Sequence, residues 1–125
     1  MKVILVGIAV MVFGGGASLK ELNAAPLEID LDRGKAIYSS VCAICHGTDG
    51  KGGQTKYTPP AADLTSPAIQ GRLDVSLFKS VHDGKPNTAM GAWREALSEY
   101  DIWDVLAYIR TLAPKGADGM GGGLR

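Results

Sequence analysis

Cysteine, aromatic side chains and net charge are all scarce in this chain of 125 residues. Two cysteines permit at most one disulfide, which excludes a multiply cross-linked scaffold as the source of stability. Thirteen basic residues cancel thirteen acidic ones, so the clearly basic balance that a nucleic-acid partner requires is missing. Phe, Trp and Tyr together number eight, and the length suits one domain, which leaves a modest apolar core. There is no internal repeat, and no segment calls for a β-strand.

What is present begins with an export pattern. Lys2 precedes the apolar run Val3 to Phe13, and small residues follow at Gly14 to Ala17. This predicts a signal peptide within residues 1–24, cleaved after Ala17 or Ala24. The alternative is an uncleaved anchor, because Val3 to Leu19 is 17 residues without a charge and so reaches the lower limit for a span. Either arrangement places the rest of the chain outside the cytoplasm, as a periplasmic or otherwise exported domain that meets a membrane only if the segment is retained. Residues 28–114 form that domain, and residues 115–125 are a glycine-rich tail with no core-forming pattern.

The two cysteines lie in Cys42-Ala43-Ile44-Cys45-His46. This spacing suits covalent haem attachment, in which each thiol adds across one porphyrin vinyl group and the adjacent histidine binds the iron. A zinc site fits poorly, since Cys45 and His46 are neighbours and only His82 is left as a fourth donor. A thioredoxin-like pair would need a strand before Cys42 and would not use His46. A plain disulfide between Cys42 and Cys45 is the remaining alternative. A large flat apolar cofactor bonded to the chain would also make up for the small core and the few aromatic residues.

The other elements arrange themselves around this motif. Asp30 or Asp32 is a candidate cap for a helix running through Lys35, Ile37 and Tyr38 toward Cys42. Gly34 lies inside it at a cost of about 1 kcal/mol against alanine, which predicts either a close helix approach or a frayed first turn. Gly47 to Gly53 is a loop that would wrap the cofactor edge, and it lacks the phosphate-binding pattern. In Thr58-Pro59-Pro60-Ala61-Ala62-Asp63-Leu64 two prolines extend the backbone, and the carbonyl of Pro60, with Pro59 next in line, is the predicted partner for the second nitrogen of His46. Apolar spacing predicts a helix over Leu73 to His82 that stops at Gly84 and leaves His82 as a helix-end dipole partner rather than an iron ligand. Met90 sits in a loop of small and polar residues where packing explains it poorly, so it is the candidate second iron ligand; Met120, in the tail, is not. Ser98 and Asp101 start a last helix with Ile102, Val105, Leu106, Ile109 and Leu112 on one face, flanked by Trp103 and Tyr108 and ended by Pro114.

Taken in order, Gly34 to Tyr38, the Cys42 to Gly47 motif, Pro59 to Leu64, Gly84 to Trp93 around Met90, and Ile102 to Leu112 resemble a small class I-type monohaem cytochrome c over residues from about Asp32 to Ala113. The resemblance implies an all-α cytochrome c fold in which the first and last helices cross closely through Gly34, Tyr38 and Tyr108. It also implies one haem c, joined through thioethers at Cys42 and Cys45 and held by His46 and Met90 as axial metal ligands. The chain departs from the pattern at Gly91-Ala92-Trp93, where many relatives place a proline and an aromatic residue.

With both axial positions filled, the expected activity is one-electron transfer between respiratory or dehydrogenase partners rather than catalysis. The alternatives are a cytochrome subunit of a larger periplasmic or membrane-bound oxidoreductase complex, and a haem enzyme or gas binder with a labile sixth ligand. Redox proteins are the expected partners, docking at the haem edge. Lys51, Lys56, Arg72, Lys79, Lys85 and Arg94 outnumber Asp63, Asp74 and Asp83 across the middle of the chain and predict either a mildly positive face near the haem edge or scattered solvated charge, followed by an acidic stretch at Glu95, Glu99, Asp101 and Asp104.

Overall fold

The structure, a computed structural model, describes residues 28–116. The expected leader and Met120 lie outside the described residues, as does most of the tail. Helix α1 (Leu31–Ile37) continues through a π-helical turn (Tyr38–Cys42) into α2 (Ala43–His46), and three further helices follow: α3 (Pro67–Gln70), α4 (Asp74–His82) and α5 (Glu99–Arg110). Among the described residues no strand is present, and the fold is all-α.

Local chemistry accounts for where the helices begin. Asp30 is the cap of α1, its carboxylate accepting the Arg33 N–H at 2.9 Å, so the first turn is tied rather than frayed. Ser98 and Asp101 form a reciprocal capping box at the start of α5. Ser66 caps α3, with Pro67 as its first residue, a short helix that the apolar spacing did not announce. Helix α4 starts at Asp74, one residue later than predicted, and its preceding residue Leu73 supplies no side-chain cap.

A 12-residue helix is marginal by itself, so α5 depends on what its apolar face buries. Ile102 and Val105 are fully enclosed, and Leu106 and Ile109 nearly so, together with Tyr38, Leu64 and Leu77. Each such side chain contributes roughly 1.5–3 kcal/mol of burial. The flanking aromatics pack outward from this centre: Trp103 stacks on Phe78 at 4.6 Å, and Tyr108 lies against Tyr38 at 5.2 Å.

Helices α1 and α5 cross where Gly34 meets the backbone of Asp104. A Cβ on Gly34 would lie 2.1 Å from the Asp104 carbonyl oxygen, so only glycine permits the approach. Of the two readings of Gly34, close approach is the one realised. The charge layout changes at the same crossing. Asp104 is not part of an acidic surface: it is 1% exposed, accepts the Asp30 N–H at 2.9 Å and pairs with the Arg33 guanidinium at 2.5 Å. A carboxylate placed there by helical periodicity needs such donors, because burial without them would cost several kcal/mol. At the other end of α5, Arg110 holds Asp74 at 2.6 Å and donates to the carbonyls of Gln70 and Arg72, which fixes the α3–α4 corner.

Gly34→Ala should lower stability by about 3 kcal/mol, since backbone must move to admit one methyl, whereas Gly91→Ala, in open space, should stay within about 0.5 kcal/mol; thermal unfolding of the two variants measures the contrast. Asp101 is held below the usual carboxylate range by the hydroxyl and N–H of Ser98. Its contribution is therefore complete above the unfolded value near pH ~4 and is lost as pH falls through the lower folded value. Asp101→Ala should cost about 1 kcal/mol at neutral pH, with a deficit in melting temperature that shrinks under strong acid.

Candidate functional site

The helix that starts at Asp30 delivers Cys42, Cys45 and His46 to the wall of an apolar cavity of about 320 Å³. Leu64, Ile69, Leu77, Val81, Val105 and Leu106 line its interior, and Met90 reaches it from the loop after α4. All four predicted site residues thus share one cavity, although Met90 lies 44 positions beyond His46 in the chain.

The cysteines do not pair with each other, and both thiols are free. Burial pushes the Cys42 thiol up to about 11, so it is protonated at neutral pH, unlike the low-pKa thiol of a redox pair. Among the described residues no group of three metal-binding side chains could form a zinc site.

His46 is oriented by a single bond. Its Nδ1 lies 2.9 Å from the carbonyl oxygen of Ala62, and a carbonyl can only accept, so Nδ1 carries the proton. The other ring nitrogen, Nε2, is left with its lone pair for a metal. The acceptor is Ala62, not Pro60 or Pro59. Successive carbonyls of an extended segment point to opposite sides. Ala61 turns its carbonyl to the Gly53 N–H at 3.0 Å, which leaves that of Ala62 facing the imidazole. Pro59 and Pro60 line the cavity instead.

The glycine loop helps to place that acceptor. Gly52 donates to the His46 carbonyl at 2.8 Å, and Leu64 donates back to Gly50 at 2.7 Å. With φ at +59° and space for a Cβ only 2.3 Å from the Ala61 oxygen, position 52 accepts nothing but glycine. Tyr38 anchors the start of the loop by donating its hydroxyl to Gly47 at 2.7 Å; burial pushes that phenol up to about 12, so it remains a donor.

His82 stands apart from this site. Its Nδ1 lies 2.7 Å from Asp83 and its ring stacks on Phe78 at 5.5 Å, in the last turn of α4 and away from the cavity lining. Two cations that motif reading did not single out do line the cavity. Lys85 is one; Arg72 is the other, held by the hydroxyls of Ser76 at 2.7 Å and Ser80 at 3.4 Å, with no carboxylate partner among the described residues. Serines four and eight positions after an arginine, on one helical face, were the available signal.

A cavity with apolar walls, two thiols, an imidazole nitrogen carrying a lone pair, a thioether and two cations fits a large flat apolar group that bears iron and carboxylates. The donor set, one nitrogen and one soft sulfur, is suited to haem iron.

Comparison with known proteins agrees with that fit. Residues 29–109 match the family described as Cytochrome C oxidase, cbb3-type, subunit III. Cytochrome c-554(547) of Halothiobacillus neapolitanus is 38% identical over 90 residues, which are 66% of this chain and 97% of that protein. Cytochrome c6 of Synechocystis sp. is 33% identical over 116 residues, covering 90% of this chain and 91% of that one. Of the longer thiosulfate dehydrogenase of Stutzerimonas stutzeri the chain spans only 27%, at 30% identity over 90 residues, or 66% of its own length. Among solved structures it is similar to the c-type cytochrome NirC, with a TM-score of 0.53, 27% identity, and coverage of 66% of this chain and 93% of that one. The chain belongs to the cytochrome c family: it is a small, all-helical c-type cytochrome, an electron-transfer protein of the kind that carries covalently bound haem.

Proposed function

We propose that the chain is an exported one-electron carrier with a single haem c, joined to Cys42 and Cys45 by two thioether bonds and ligated by His46 and Met90. The observation that carries this reading is the His46–Ala62 bond, which fixes the proton on Nδ1 and leaves Nε2 as a ligand in the cavity that Met90 also lines. When bound, the haem supplies reversible exchange of one electron.

The protein's part is to hold the donors still. The α1–α2 helix, the Ala62 carbonyl and the Tyr38 hydroxyl fix His46 and the backbone after it. The apolar walls exclude water, and the soft, neutral thioether of Met90 favours ferrous iron, raising the potential relative to two histidines. Arg72 and Lys85 can pair with the porphyrin carboxylates. Residues 28–114 constitute the working domain, with a leader before it and the 115–125 tail after it.

Redox proteins are the partners, met where the haem edge is exposed. The cationic face is narrower than the sequence count predicts, because Arg72 lines the cavity and Arg94 faces Asp83 at 3.7 Å and Glu95 at 3.6 Å. Lys85, which lines the cavity, and Lys56, seated over the ring of the lining residue Tyr57, are exposed charges, and they steer acidic partners. The second reading, a cytochrome subunit of a larger oxidoreductase complex, is favoured by the subunit III family description and by the match to a fraction of a longer dehydrogenase.

A denaturing gel stained for haem peroxidase activity tests attachment. The chain produced in a host that matures such proteins should stain, and Cys42→Ala with Cys45→Ala should abolish the band; an unstained parent chain would reject the reading. Electron transfer to an acidic redox partner should slow by about an order of magnitude as salt rises from low to several hundred millimolar, and Lys56→Glu with Lys85→Glu should flatten the dependence. Rates indifferent to salt in the parent chain would remove the steering role.

A further inference from the structure

Met90 is followed by Gly91, around which space is open: a Cβ there would meet nothing within 4 Å. Gly91 thus offers Met90 no side-chain packing, and the hydrogen bonds to the backbone of Met90 itself come from the residues before it.

Those residues close a ring. Lys85 donates its N–H to the Met90 carbonyl at 2.9 Å. The Thr88 hydroxyl accepts the Met90 N–H at 3.1 Å and donates to the Lys85 carbonyl at 2.8 Å, while the Thr88 N–H reaches that same carbonyl at 3.3 Å. Both backbone polar groups of Met90 are thereby engaged, one of them by a side chain. Asn87 makes the turn in the left-handed region at φ +60°, a conformation its side chain tolerates. The ring rests on Gly84, where a Cβ would come within 2.7–2.8 Å of the Met90, Gly91 and Ala92 backbone. The segment leaving the ring is tied to the end of α4 by Trp93 N–H to the Val81 carbonyl at 3.0 Å and Arg94 N–H to the His82 carbonyl at 3.3 Å.

We propose that Thr88 is the positioning residue for the sixth ligand: its hydroxyl closes the Lys85–Met90 ring and so keeps the thioether on the iron. The inference rests on the His46/Met90 ligation reading, and its test separates the two. Thr88 is half-buried and outside the apolar core, so its removal should loosen the ligand without unfolding the domain.

The experiment uses purified holoprotein carrying Thr88→Val, which keeps the shape and removes the hydroxyl, alongside Thr88→Ser and Met90→Ala. Two readouts report on the ligand: the long-wavelength absorption band of a ferric iron–thioether bond, and carbon monoxide binding to the reduced protein. Thr88→Val should weaken the band and raise the fraction of centres open to carbon monoxide about tenfold, equivalent to about 1.4 kcal/mol, the scale of one buried hydrogen bond. Thr88→Ser should match the parent chain, and Met90→Ala should lose the band and bind the gas freely. Thr88→Val indistinguishable from the parent while Met90→Ala is open would overturn the role of Thr88 and leave the ligation intact. So would Thr88→Ser behaving like Thr88→Val, or a Thr88→Val chain whose helical circular dichroism also falls, which would mark a global folding role. An unchanged spectrum in Met90→Ala would instead reject the ligation itself.

Discussion

Everything in this small domain is referred to the point where Gly34 lies against the Asp104 carbonyl. Backbone contact between α1 and α5 at that point fixes the direction in which the first helix runs, and so where Cys42, Cys45 and His46 emerge along it. The aromatic pair Tyr38–Tyr108, one turn further on, extends the same contact toward the cavity. The crossing carries a charged strut as well, because the side chain of Asp104 turns back to the Asp30 amide and the Arg33 guanidinium. A steric permission at one residue and a carboxylate at its neighbour across the interface together hold the helix that bears the haem motif.

The two proposed iron ligands are held by different means. His46 stands at the end of a helix, and its ring is turned by a carbonyl from a segment 16 positions away, itself spaced by close contact with a glycine loop. Met90 stands in a loop stabilised almost wholly by bonds among its own residues, fastened at its base to the end of α4. The first arrangement is joined to the helix that enters the core; the second is a local ring of hydrogen bonds outside the core cluster.

Among the described residues the arginines serve internal fastening more than display. Arg110 grips the α3–α4 corner, Arg33 neutralises Asp104, and Arg72 lies along the cavity against two serines, so the exposed charge left for a partner is carried by lysines. The Gly34 crossing braces the middle of α5 and the Arg110 corner its C-terminal end, which explains how a helix of 12 residues serves as the spine of the domain.

Much of this was legible in the sequence because it is local. The Cys42 to His46 spacing, the Asp30 cap, the Ser98–Asp101 capping box and the apolar face of α5 depend on neighbours within a helical turn or two, and the chain carries them wherever it goes. The candidate ligand Met90 could be named for a related reason, since a lone thioether among small polar residues has no packing role to explain it. What pairs across long separations was decided only by the tertiary structure. Choosing Ala62 over Pro60 as the partner of His46 depends on which carbonyl of an extended segment faces the ring, and that parity is set by Gly53 bonding to Ala61. The burial of Asp104, the reach of Arg72 into the cavity and the grip of Arg110 likewise require the packed helices to exist first, because a charged side chain finds its partner through space and leaves no period in the sequence.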